Sequence, residues 1–219
     1  MDIKKTSLAS VMMLICLVLA AQVQVSKEPM HKKVLENKYI RLMDAWLQPG
    51  DTTLYHIHST PSVFLHFSNA TMASQVKGQN WVKEQTVPGY AWYRSFTPDS
   101  MIHRVSNYDT VVIHVTDIEI LSSHNPGNKS EPLPFPVLFD NEKAIAYRLT
   151  SAAFNQQLIS NRGPMIAELV AGEPAYYVDA ATNIQTQIKA GGYFYIEPGV
   201  AFYLRLTGKE VNMVLFEIK

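Results

Sequence analysis

The chain has 219 residues, equal numbers of acidic and basic side chains and a formal net charge of zero. With 47% hydrophobic and 17% charged residues it carries enough apolar material for a packed core, which excludes a disordered chain. The charge balance and the lack of a long basic run remove the electrostatic basis for nucleic-acid binding, so no nucleic-acid partner is expected.

The first segment in chain order is an address rather than a structural element. Lys4 and Lys5 give a positive start, residues 8–21 are apolar or small, and Ala20 and Ala21 close the run. This layout predicts a secretory signal peptide over residues 1–21, because the apolar run is shorter than the ~20 residues of a membrane-spanning helix. The expectation is an exported protein, periplasmic or extracellular, with no membrane span in its mature form. Cys16 is the single cysteine and leaves with the signal, so the mature chain has no disulfide and no thiolate ligand or nucleophile.

Residues 22–33 read as a polar tether. From Val34 the chain reads as short strands between turn signals: Tyr39–Leu47 before Pro49-Gly50-Asp51, Thr52–Phe67, Ala91–Phe96 before Thr97-Pro98-Asp99, and Thr110–Leu121. No long period-3.6 pattern appears, and strands of this length between turns predict an all-β sandwich or barrel. Residues 122–143 are proline-rich and read as a linker. Strands resume over 144–219, at Ile145–Thr150, Met165–Val170, Ala175–Val178, Ile184–Ile188, Tyr193–Ile196, Val200–Leu206 and Val211–Ile218. Two β units, 34–121 and 144–219, are the simplest organisation.

The chemistry concentrates in the first unit. His56 and His58 are two apart, so on a strand both imidazoles point to one face and can grip one ion. His103, in a second strand unit, can supply a third ligand. His66 shares the parity of the pair and His114 lies in the following strand, so each is a candidate extra ligand or pocket base. Tyr55 and Ser62 are further candidate pocket residues.

Two motifs make the reading specific. Gly50 to His58 (GDTTLYHIH) is similar to the first motif of the cupin superfamily, and Pro98 to Asn107 (PDSMIHRVSN) is similar to the second. The resemblance covers roughly residues 34–121. It implies a double-stranded β-helix, or jelly-roll, barrel with His56, His58 and His103 as metal ligands, Gly50 in the turn before the first histidine strand and Asn107 in a structural role. The family's customary glutamate is absent, its place being held by Ser62 and Val63, while Asn69 and Ser100 replace motif glycines. The resemblance therefore implies a site of three neutral histidines. Imidazoles suit one divalent transition metal: Fe, Mn, Ni, Cu or Zn.

In the second unit, Gly192 to Pro198 (GYFYIEP) resembles the start of the second motif, but Tyr203 stands where the histidine should follow, and no histidine occurs after His124. The chain thus resembles a bicupin, two cupin domains in tandem, with a metal-type first barrel and a degenerate second barrel that is structural or forms a homodimer. The functional expectation is a metal-dependent dioxygenase acting on a small organic molecule. The alternatives are a metal-assisted sugar isomerase or lyase and a non-catalytic small-molecule-binding bicupin. No nucleophile elbow, phosphate loop or dinucleotide fingerprint is present.

Overall fold

Turn residues cut the chain into short extended runs, which a computed structural model describes over residues 23–124, 131–150, 157–208 and 210–219. The expected signal peptide lies outside these residues. In chain order the strands are β1 (Val23–Gln24), β2 (His31–Glu36), β3 (Ile40–Leu47), β4 (His56–His58), β5 (Ser62–His66), β6 (Thr71–Val76), β7 (Val82–Gln85), β8 (Ala91–Arg94), β9 (Met101–Asn107) and β10 (Ile113–Ile120). They continue with β11 (Val137–Asp140), β12 (Ala144–Leu149), β13 (Met165–Gly172), β14 (Ala175–Asp179), β15 (Gln185–Ile188), β16 (Gly192–Ile196), β17 (Phe202–Leu206) and β18 (Val211–Ile218). One 3-10 turn, Val25–Lys27, interrupts them.

The first half forms two five-stranded sheets, ordered β1-β4-β9-β6-β7 and β2-β3-β10-β5-β8. The second half forms a five-stranded sheet, β11-β12-β18-β13-β16, and a three-stranded one, β15-β14-β17. In each half the chain passes back and forth between its two sheets, which is the connectivity of a jelly-roll barrel.

Three segments differ from the sequence reading. The expected tether is part of the first barrel: β1 pairs in parallel with β4, setting Val23 opposite His56, and Val25 is completely buried. The polar appearance misleads because the polar groups satisfy one another. The Glu28 carboxylate accepts the backbone N–H groups of Met30 (2.8 Å), His31 (3.1 Å) and Leu54 (3.1 Å) and the His31 ring Nδ1 at 2.8 Å. The expected linker contains β11, which pairs along the edge of β12. The run Thr52–Phe67 is two strands in different sheets, β4 and β5, because the chain turns at Ser59–Pro61.

The central strands have two apolar faces, and each serves a different core. On β10, Ile118 and Ile120 face the second barrel, where they join Val63 and Leu65 against Ile166, Val214 and Phe216. Each such side chain contributes roughly 1.5–3 kcal/mol on burial. Asp117 and Glu119, of opposite parity, face the interior of the first barrel, where they meet His58 and Arg41. One strand therefore carries both the seam between the barrels and the wall of the site.

The second barrel repeats the hydrogen-bond frame of the first. In the first, Lys77 N donates to Ile102 O and His56 pairs with His103; in the second, Ala180 N donates to Ala201 O and Ile159 bridges Phe202. Phe202, not Tyr203, therefore occupies the place of His103, and Ile159 that of His56. The motif spacing misses this by one residue. Both side chains belong to a closed apolar core with Tyr147, Tyr177 and Leu204.

Candidate metal centre

Antiparallel pairing of β4 with β9 sets His56 directly opposite His103. His58, two residues on, projects from the same face. The three rings converge by their Nε2 atoms, His56 and His58 each 3.0 Å from Nε2 of His103. Two nitrogens bound at ~2.1 Å and about 90° apart around one ion would lie about 3.0 Å from each other, so the spacing fits a facial set of metal ligands. This trio is the metal-capable cluster found among the described residues.

The opposite ring nitrogens decide the tautomers. His56 Nδ1 lies 2.9 Å from the Leu54 carbonyl, which can only accept, so Nδ1 carries the proton and Nε2 presents a lone pair. His103 Nδ1 lies 3.1 Å from the Ser74 hydroxyl. His58 Nδ1 faces Asp117, with 3.5 Å to Oδ2. Hydrogen bonds cannot satisfy the cluster: a neutral His103 Nε2 is either a donor or an acceptor, yet it faces two other Nε2 atoms. A cation accepting three lone pairs satisfies all of them.

Burial keeps the rings neutral. Desolvation, reinforced by His31, lowers His56 to about 4. Desolvation with His56 beside it lowers His103 to about 3. Desolvation and the neighbouring histidines also push His58 below the ordinary range. Burial with Glu119 nearby raises the Asp117 carboxyl well above its ordinary value.

An aromatic wall adjoins the trio. Phe96 stacks on His58 (4.9 Å between centroids, 19° between planes) and lies edge-on to Phe64, which stacks on Trp92 at 4.8 Å. Phe96 holds φ at +54°, a backbone conformation that bulky side chains rarely adopt. The Arg94 guanidinium sits 5.1 Å above the Phe96 ring, and its charge contributes to lowering His58 and His103.

The remaining candidates fall elsewhere. His66 is buried against Trp92 (4.9 Å between ring centroids) with no partner for Nδ1. It keeps the inward parity expected of it, on the same face of β5 as Phe64 and opposite Val63 and Leu65, but it meets Trp92 rather than the trio. His114 lies on the seam side, between Trp46 and Phe67 with Nε2 donating to Asp44 at 2.7 Å, so it is not a pocket base of the trio. Tyr55 alternates away from His56; its hydroxyl donates to Gln75 (2.8 Å) and Arg104 covers its ring. Ser62 is fully buried and donates to the Thr60 carbonyl at 3.0 Å. Asn107 ties a turn, donating to Leu47 O and Val111 O and accepting from Asp109 N. Sequence reasoning missed Asp117, Ser74 and Arg94. The only signal for Asp117 is a charge inside an otherwise β-branched run (IHVTDIEI).

No protein-family sequence model matches the chain, and no curated protein matches it in sequence. Solved structures do match in fold. A cupin 2 conserved barrel domain protein from Leptotrichia buccalis aligns at TM-score 0.54 and 9% identity, over 85% of this chain and 87% of that one. Salicylate 1,2-dioxygenase from Pseudaminobacter salicylatoxidans aligns at 0.56 and 12% identity, over 82% and 71%. Oxalate decarboxylase from Lactobacillus farciminis, solved as a formate complex, aligns at 0.56 and 10% identity, over 88% and 80%.

Proposed function

The chain has the cupin fold in its two-barrel form, and we propose that it is an exported metalloprotein whose first barrel catalyses oxidation of a small organic molecule. The observation that carries this reading is the convergence of three Nε2 atoms at 3.0 Å contacts, with the His56 lone pair fixed inward by the Leu54 carbonyl. His56, His58 and His103 would hold one divalent transition metal. With no carboxylate in the ligand set, a bound ion would keep its full charge and open positions for substrate and O2, as non-haem iron sites do. Phe96 and Phe64 would keep one wall apolar and dry, which strengthens electrostatic contacts within the site. Arg94 would draw the negative end of a substrate toward the same wall. The fold neighbours named for action on salicylate and on oxalate are consistent with small acids as substrates.

The test is oxygen uptake by the iron-loaded protein against a panel of hydroxybenzoates, diphenols, flavonols, diketones and thiols. The reading expects uptake with at least one class, abolished in His103→Ala. Silence across the panel removes the oxygenase reading and leaves a binding role. Full turnover with zinc in place of iron would assign isomerase or lyase chemistry instead, in which the ion polarises a carbonyl. Export rests on residues 1–21 and is tested by the N-terminus of the protein recovered outside the cytoplasm.

A further inference from the structure

The interior of the first barrel contains three buried acids, and their partners differ. Glu28 is spent on His31 and three backbone N–H groups. Glu119 is spent on Arg41, with 2.5 Å between Oε2 and Nη1. Asp117 is 1% exposed, and neither of its oxygens has a partner in good hydrogen-bond geometry; the Ser62 hydroxyl beside it eases its charge but is aligned on the Thr60 carbonyl. The group facing Asp117 is His58 Nδ1, equally buried, equally without a partner, and 3.5 Å away. Two unpaired polar atoms in a dry interior are costly apart, and small adjustment brings them to hydrogen-bond distance.

The register explains why they meet. β10 places Asp117 opposite Phe64 of β5 and Met43 of β3, with its side chain on the interior face. The other two histidines already have their Nδ1 partners, Leu54 O and Ser74 Oγ. His58 is the ligand whose outer nitrogen is left over, and Asp117 is the acid left over.

We propose that Asp117 is the positioning residue of the metal centre: it accepts the Nδ1 proton of His58, fixes that ring with Nε2 toward the ion and, once a bound cation offsets the cost of ionising it in the dry interior, supplies from behind the ligand the negative charge that the ligand set lacks. This inference rests on the metal reading above. A carboxylate behind a ligating imidazole fixes its tautomer and raises its basicity, and removing such a partner typically weakens metal affinity about 10–100-fold.

The test titrates zinc into the metal-stripped whole chain, comparing the parent with Asp117→Asn and Asp117→Leu. The asparagine can still accept the proton but carries no charge; the leucine does neither. The expected result is zinc affinity weaker by about 10–100-fold in Asp117→Asn and at least as weak in Asp117→Leu. A merely structural acid predicts the reverse pattern, a loss of thermal stability with affinity unchanged. The metal-free variants are expected to melt no lower than the parent, since an unpaired buried carboxyl is being removed. Nitrogen NMR of the zinc-loaded parent supplies a readout that needs no variant: His58 Nδ1 must be the protonated nitrogen. Affinity within threefold of the parent in both variants, or a His58 ligating through Nδ1, overturns the proposal. A parent that binds no zinc removes the metal reading itself, and this inference with it.

Discussion

His66 is packed against Trp92 with its Nδ1 unsatisfied, and burial lowers it from an ordinary 6.5 to about 4. Above pH 6.5 it is neutral in both folded and unfolded chains and contributes no pH dependence. Between 6.5 and 4 only the unfolded chain binds the proton, so stability falls as pH drops, by at most about 1.4 kcal/mol per pH unit for one such group. His66→Phe removes that proton. The difference in denaturant stability between pH 7 and pH 4.5, measured on metal-stripped protein, should shrink in this variant; an unchanged difference would contradict the burial argument. The trio His56, His58 and His103 was readable because spacing on β4 and two motifs located them. Asp117 was not, because nothing local to β10 says which of its two faces looks into the barrel.

Among the elements, the N-terminal segment departs furthest from its sequence. Residues 22–33 look like a polar tether, yet Val23 and Gln24 cover one side of the histidine strand through the β1–β4 pairing. The hinge of this arrangement is Glu28, which binds the segment to Leu54, the residue whose carbonyl orients His56. Glu28→Ala removes the side-chain acceptor of the part-buried Met30 and Leu54 N–H groups, at up to ~1–3 kcal/mol for each that water does not reach, while His31 N–H keeps the Glu28 carbonyl. The expected outcome is a lower melting temperature together with weaker metal binding, because the Leu54 carbonyl loses its anchor. Unchanged stability would show that the segment is not integral to the barrel. The strands rich in β-branched and aromatic residues, such as β3, β10 and β18, were legible from composition. β7 was not, because its four residues are all exposed and it carries no hydrophobic alternation. Nor was β11, an edge strand among prolines.

On the scale of the whole molecule, the two barrels share one apolar seam, and a buried acid lies within it. Glu168 is completely buried; Thr116 donates to it across the seam at 3.0 Å, and burial pushes it from 4.5 up to about 8, with Asp44 adding to the rise. The folded chain therefore holds this proton after the unfolded chain has lost it. Its stability falls as pH rises from about 4.5 to 8, the opposite sign to His66. Glu168→Gln should melt higher than the parent, by a margin that widens from pH 5 to pH 8; a constant margin would contradict this. Two jelly rolls were legible from turn spacing, and so was the absence of histidine after His124. The seam was not legible, since strands buried on both faces read only as apolar runs. Every role proposed for the first barrel depends on one bound ion. The most direct measurement is the metal content of the protein purified without added metal and after reconstitution, beside a His56→Ala/His103→Ala double variant. About one equivalent of a transition metal is expected in the parent and none in the variant. No metal in the parent after reconstitution, or equal metal in both proteins, would contradict it.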